Sequence, residues 1–148
     1  MKVIVQRVLE ASVIVNKKIV NQINNGYLLL VGLKTDDKLK DLEYCARKVA
    51  KLRIFSDDAG LMNHDIKKVN GEILSISQFT LYGDIKKQNR PGFSQAMDYE
   101  SAQEMYSKFN DILRNTYNLE VYAGLFGENM KISLVNDGPV TIIIDSDW

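Results

Sequence analysis

The side chains best suited to chemistry in this 148-residue chain gather at Ser77, Gln78, Phe79 and Thr80, near the end of the run Gly71–Gly83 (GEILSISQFTLYG). The run has strand composition, with Ile73, Leu74, Ile76, Phe79 and Leu81 between two glycines. It lacks the alternation of a half-buried strand. Ile73, Ser75, Ser77 and Phe79 would face one way, and Leu74, Ile76, Gln78 and Thr80 the other. Both faces mix apolar with hydroxyl or amide groups. A buried polar group without a partner costs about 1–3 kcal/mol. The cluster is therefore either a hydrogen-bonded strand end in a core or the floor of a pocket, and this stretch alone leaves both open.

The other reactive side chains are few. His64 is the only histidine and Cys45 the only cysteine, which argues against a histidine-based triad, a zinc site and a disulfide framework. Cys45 falls in an apolar helical stripe and reads as packing. Arg7 interrupts an apolar strand, where a snorkelling edge position is the ordinary explanation. Asn136-Asp137-Gly138-Pro139 joins two apolar runs. Proline has no N–H and fits badly inside a sheet. An X-Pro bond prefers trans by only about 0.5–1 kcal/mol, so this joint is either a plain hairpin turn or a cis peptide. Lys86, Lys87 and Arg90 lie in a long loop of the kind that often carries function. Charge is uneven: residues 1–90 hold 16 Lys/Arg against 10 Asp/Glu, and residues 91–148 hold 3 against 9. Nucleic-acid binding would need a local basic face, since the net charge is zero.

The elements that must position these groups can be read in outline. Apolar content of 45 % and charged content of 26 % suit a single globular domain over 1–148. No run approaches the ~20 apolar residues of a spanning helix, and Gln6, Arg7 and Glu10 interrupt the N-terminus too early for a signal-peptide core. A cytoplasmic protein is expected. Met1–Asn16 reads as strand, break, strand, with Lys17-Lys18 as a polar tip in an antiparallel meander. Tyr27–Leu33 reads as a strand covered on both faces. A first helix is expected over Thr35–Lys51, capped by Thr35, with Asp36 and Asp37 at its positive end. Leu39, Leu42, Cys45, Val49 and Leu52 form its core stripe. Arg47, Lys48 and Lys51 read as its solvated end, with an RNA contact as the alternative. Lys51–Ser56 suggests a short strand. A second helix is expected over Tyr99–Tyr117 with Asp98 as cap. Glu120–Ala123, Lys131–Val135 and Val140–Ile144 complete the strands, and a glycine-flanked loop carries Phe126 and Met130.

Taken together, Ser77-Gln78-Phe79-Thr80-Leu81 and Asn136-Asp137-Gly138-Pro139-Val140-Thr141 resemble the two signature motifs of the D-aminoacyl-tRNA deacylases, the DTD family. The opening Val5–Val13 (VQRVLEASV), Leu52–Phe55 (LRIF), Asn89–Pro91 (NRP) and the Phe126–Met130 loop fall in the family's order and spacing. Glu128-Asn129 stands where an alanine–acid pair is common, and Gly92 where a serine is common; neither departure touches the signatures.

The resemblance implies an α+β, barrel-like, mainly antiparallel fold with two main helices. It implies a homodimer with sites at the interface and the 3′ end of an aminoacyl-tRNA as partner, without cofactor, metal or membrane. Gly138-Pro139 of one subunit, in cis, would reach into the other's pocket and exclude L side chains. Arg7 would hold that loop, with Thr141 in support. Ser77–Thr80 would carry catalysis through backbone N–H groups around Phe79 and Thr80, assisted by the RNA's own ribose hydroxyl. The rival is Thr80 as covalent nucleophile, which lacks a visible base. Phe126 and Met130 would receive the terminal adenine, with Lys86, Lys87 and Arg90 on phosphates. The expected activity is ester hydrolysis of D-aminoacyl-tRNA, and of glycyl-tRNA. The alternative is a non-catalytic RNA-binding module on the same scaffold.

Overall fold

The computed structural model describes residues 1–148. One strand organises it. β1 (Lys2–Val15) pairs antiparallel with β2 (Lys18–Ile23) and β3 (Gly26–Gly32) on one side, and with β8 (Lys131–Asp145) on the other. The expected break in Met1–Asn16 is absent: the strand is continuous. Its register against β8 slips between Gln6 and Val8 and again between Val8 and Glu10. Such bulges bend a strand and turn its side chains over. Val3 and Val5 accordingly enter one core, while Val8, Ala11 and Val13 enter another. Leu9 and Glu10 are left outside.

The sheet continues from β3 through β6 (Glu72–Ser77) to β7 (Glu120–Ala123), and both of these pairings are parallel. Parallel neighbours need crossovers. Helix α1 (Leu39–Lys51) lies in the first and α2 (Tyr99–Asp111) in the second, with the small hairpin β4 (Phe55–Ser56)–β5 (Met62–His64) between α1 and β6. The fold is thus α+β with a nearly closed, mixed barrel-like sheet, and all three pairings of β1 are antiparallel. Asn21 Nδ2 on β2 donates to Ala123 O on β7 at 2.6 Å, across the gap in the barrel.

Two apolar clusters fill the molecule. The larger lies between the sheet and the helices and holds Tyr27, Leu29, Val31, Ile73, Phe109 and Leu113. The smaller fills the barrel with Leu28, Leu74, Ile76, Val13 and Ile23. β3 and β6 are buried on both faces, as the continuous apolar run of β3 suggested.

Several expectations are corrected. The strand within Gly71–Gly83 stops at Ser77, and Phe79–Tyr82 forms a 3-10 turn. Helix α1 starts at Leu39, and Thr35 does not cap it. Thr35 N–H instead donates to Gln95 O at 3.1 Å, and the Lys38 N–H donates to Asp41 Oδ2 at 2.8 Å. Asp37 is drawn into the core because its carboxylate accepts from the Met1 ammonium and from the Lys34 N–H. Leu39, on the first turn, is exposed, whereas Leu42, Cys45 and Val49 are buried. Only Phe55–Ser56 of Lys51–Ser56 is strand. Asp98 caps α2 as expected, accepting from Ser101 N–H at 3.0 Å, but the regular helix ends at Asp111, and Ile112–Thr116 continues it as a π-type turn. Residues 131–145 are one bent strand, not a hairpin, because β1 is long enough to pair with both halves.

Candidate active site

A cleft of about 470 Å³ opens where β6 runs out. The last residue pair between β6 and β7 is Ser75 with Ala123; beyond it the strands part. Ligands of parallel sheets commonly bind outside the carboxyl ends of the strands. β6 delivers Ser77, and Gln78 follows with its N–H on Val31 O at 2.7 Å. The chain then turns sharply into the 3-10 turn. The first N–H groups of such a turn have no partner within it, and here they belong to Phe79 and Thr80.

Ser77, Gln78 and Phe79 line the cleft together with Phe126 and Met130. The structure therefore brings together the strand end and the apolar loop that lie some fifty residues apart in sequence. Tyr99 and Ala102 of α2, and Met97 just before its cap, also line it. Phe126 packs edge-on against Tyr99 with ring centroids 5.2 Å apart. Gly127 has φ +79°, and a β-carbon there would lie 2.4 Å from the Tyr99 hydroxyl; only glycine lets the loop pass under that ring.

Thr80 does not line the cleft. It is exposed, and its Oγ1 accepts from Gln78 Nε2. Lys86, Lys87 and Arg90 are also exposed, on a loop pinned by reciprocal backbone bonds between Asp84 and Gly92 at 2.8 and 3.0 Å. Phe93, just beyond, packs edge-on against Phe79 at 4.9 Å, so the basic loop adjoins the cleft.

Gly138 and Pro139 do not line the cleft of their own chain. They sit exposed on the bend of β8, joined by a cis peptide bond. Arg7 is buried and not a snorkelling edge residue. Its guanidinium donates to Ile54 O and, at 3.2 Å, to Asp137 O, and it pairs with the Asp137 carboxylate at 3.1 Å. The Asn136 side chain spans the bend. Its Oδ1 accepts from Val140 N–H at 2.8 Å, and its Nδ2 donates to Thr141 Oγ1 at 3.2 Å. Thr141 Oγ1 also accepts from Gln6 Nε2 at 3.3 Å.

Sequence reasoning missed Tyr99, Met97 and Ala102 as cleft residues, and Asn136 and Asp137 as the brace of the Gly138 bend. The available signals were an aromatic in the first turn of a helix after a long loop, and an Asn-Asp pair where side chains commonly bond to nearby backbone. No helix is long and apolar enough to cross a membrane, and no three His, Cys, Asp or Glu side chains converge where they could hold a metal ion.

The family model described as D-Tyr-tRNA(Tyr) deacylase matches residues 4–145. A D-aminoacyl-tRNA deacylase of Staphylococcus aureus (strain bovine RF122 / ET3-1) is 53 % identical over 146 residues, covering 99 % of this chain and 96 % of that protein. Among solved structures, one titled c-Myc DNA Unwinding Element Binding Protein superposes with a TM-score of 0.93 at 39 % identity, over 98 % of both chains. Another, of a probable eukaryotic D-amino acid tRNA deacylase, gives 0.82 at 17 % identity over 97 % of both and shares the fold. By a family match across almost its full length and a relative this similar, the chain belongs to the D-Tyr-tRNA(Tyr) deacylase family.

Proposed function

We propose that this protein hydrolyses the ester bond of D-aminoacyl-tRNA, and of glycyl-tRNA, releasing the amino acid and free tRNA in the cytoplasm. The observation that carries the reading is that Ser77, Gln78 and Phe79 line one and the same cleft as Phe126 and Met130. Aminoacyl esters need little beyond a positioned carbonyl, donors for the oxyanion and a water. The N–H of Phe79, which lines the cleft, supplies one donor, and that of Thr80, the next residue of the turn, supplies a second from the cleft's edge; one such donor is commonly worth about 2.7–4 kcal/mol of barrier. Water adds to the ester carbonyl, the bond from carbonyl carbon to ribose oxygen breaks, and the ribose oxygen leaves with a proton. The neighbouring ribose hydroxyl orients the water. Ser77 and Gln78 hold the turn and face the amino acid. The terminal adenine stacks between Phe126 and Met130, as bases do on aromatic and apolar surfaces. Lys86, Lys87 and Arg90 take phosphates.

The chiral filter is Gly138-Pro139 supplied by the second subunit of a homodimer. These residues are exposed and absent from the cleft of their own chain, which suits a role in the partner's. Their backbone carbonyls would face the substrate's α-carbon, accept its ammonium and collide with an L side chain. That is rejection by exclusion and requires no recognition of the side chain itself. Arg7 and Thr141 hold the bend.

A second reading is a nucleic-acid-binding module without turnover, which the 39 % identical structure titled as a DNA unwinding element binding protein favours. Incubation with D-Tyr-tRNA and L-Tyr-tRNA separates the two. Loss of the D-ester alone supports the deacylase; binding of both without ester loss supports the module and ends the first reading.

A further inference from the structure

One carbonyl oxygen ties together three walls of the cleft. Ser75 O lies on β6, two residues before Ser77. It accepts from the Tyr106 hydroxyl on α2 at 2.7 Å and from the Gly124 N–H at the start of the Phe126–Met130 loop at 3.0 Å. Both bonds form at the level where β6 and β7 cease to pair. The cleft opens beyond that level, from Ile76 onward.

Tyr106 does more than donate. Its ring lies 5.8 Å from Phe126, two helical turns along α2 from Tyr99, whose ring lies 5.2 Å from the same Phe126. Tyr99, Ala102 and Tyr106 recur at helical spacing, so one face of α2 runs from the cleft down to this bond. Gly124 fits tightly on the other side. A β-carbon there would lie 2.5 Å from Met130 Sδ and 3.0 Å from Ile76 Cδ1. The loop thus has little freedom once its first N–H is bound. Burial pushes the Tyr106 phenol above its ordinary pKa.

We propose that Tyr106 is a positioning residue. By clamping Ser75 O it sets the register between the turn at Phe79–Thr80 and the slot at Phe126 and Met130. This rests on the deacylase reading of the cleft and adds to it the group that fixes the distance between adenine and ester carbonyl. Correct registry of the reacting ends affects the chemical step, because small misplacements of a positioned substrate are costly in rate. Capture of the tRNA by surface phosphate contacts does not depend on it.

The test is Tyr106→Phe, which keeps the ring and removes one hydroxyl. Its control is Ile66→Val, a buried position outside the cleft. Both are assayed at the same interval below their own Tm. Tyr106→Phe is expected to lower kcat on D-Tyr-tRNA roughly tenfold with KM within about twofold, while Ile66→Val keeps wild-type values. A kcat equal to that of the control, or a change in KM alone, overturns the proposal. An amide ¹H–¹⁵N spectrum of the free variant gives an arm that needs no turnover. Shifted or doubled signals at both Ser77–Thr80 and Gly124–Met130 support the clamp; changes confined to α2 overturn it. If the wild-type protein leaves D-Tyr-tRNA intact, the deacylase reading fails, and the spectrum alone decides the clamp.

Discussion

At the scale of single residues, Thr80 and Gly138 show why position outweighs residue type. A threonine next to a reactive cleft invites the nucleophile reading. Its hydroxyl, however, is outside the cleft lining and already accepts from Gln78 Nε2, and no base stands beside it. What Thr80 offers is its backbone N–H, which every residue but proline carries. Thr80→Val should therefore keep kcat on D-Tyr-tRNA within several-fold of wild type, provided circular dichroism shows the fold intact. A loss of 10³ or more in a folded variant would restore the nucleophile. Gly138 is a poor position for a similar probe. It has φ +125°, and a β-carbon would lie 2.7 Å from Val140 Cγ2 and 3.1 Å from the Arg7 guanidinium. An alanine there strains the bend itself, so any loss of activity would mix shape with stability.

At the scale of elements, the segment between the 3-10 turn and α2 has the most to say about RNA. It is long, yet pinned at both ends. Asp84 and Gly92 exchange backbone bonds, Met97 N–H donates to Leu33 O at 3.1 Å, and the Lys86 N–H is held by Asp84 Oδ1 at 2.9 Å. A loop so tied presents Lys86, Lys87 and Arg90 as a fixed basic edge beside Phe79 and Phe93. With two or three phosphates neutralised, affinity for tRNA should fall about tenfold between 50 and 200 mM salt. Replacing Lys86 and Lys87 together with glutamate should raise KM well beyond any fall in kcat and flatten that salt dependence. An unmoved KM in steady-state assays would reduce this edge to solvated surface.

At the scale of the whole molecule, β1 is the spine, and Arg7 is where the two halves of the fold are joined. Its guanidinium bridges Ile54, just beyond the exit of α1, and Asp137, on the bend of β8. Removing it leaves the buried Ile54 carbonyl and the partly buried Asp137 carbonyl without this donor. The Asp137 carboxylate is 41 % exposed and can be rehydrated, so the cost is smaller than for a fully buried pair. Arg7→Ala should destabilise the protein by about 2–3 kcal/mol in urea unfolding. It should also release the Gly138 bend, so that discrimination between D- and L-Tyr-tRNA falls even at temperatures where the variant remains folded. A variant with unchanged urea midpoint would show that water replaces the guanidinium without penalty.

Local patterning determined much of this protein. The buried β3, the stripe of α1, the cap at Asp98 and the strand at 120–123 all follow from apolar period and capping chemistry, which act within one turn or one strand. The two polar signatures and the Phe126–Met130 loop were legible as motifs for the same reason. The resemblance they carried extended that reading to the family. Only the tertiary structure decided how they meet. β6 loses β7 beyond Ser75 and continues to Ser77 on β3 alone, and the cleft opens where that one-sided pairing runs out. Arg7 turned from edge to core because bulges in β1 face it toward the bend of β8. Asp37 left the end of α1 because the Met1 ammonium, distant in sequence, is a stronger partner than exposed helix N–H groups. Register, bulges and long-range charge pairs are settled by the neighbour an element acquires, and no window of sequence contains that neighbour.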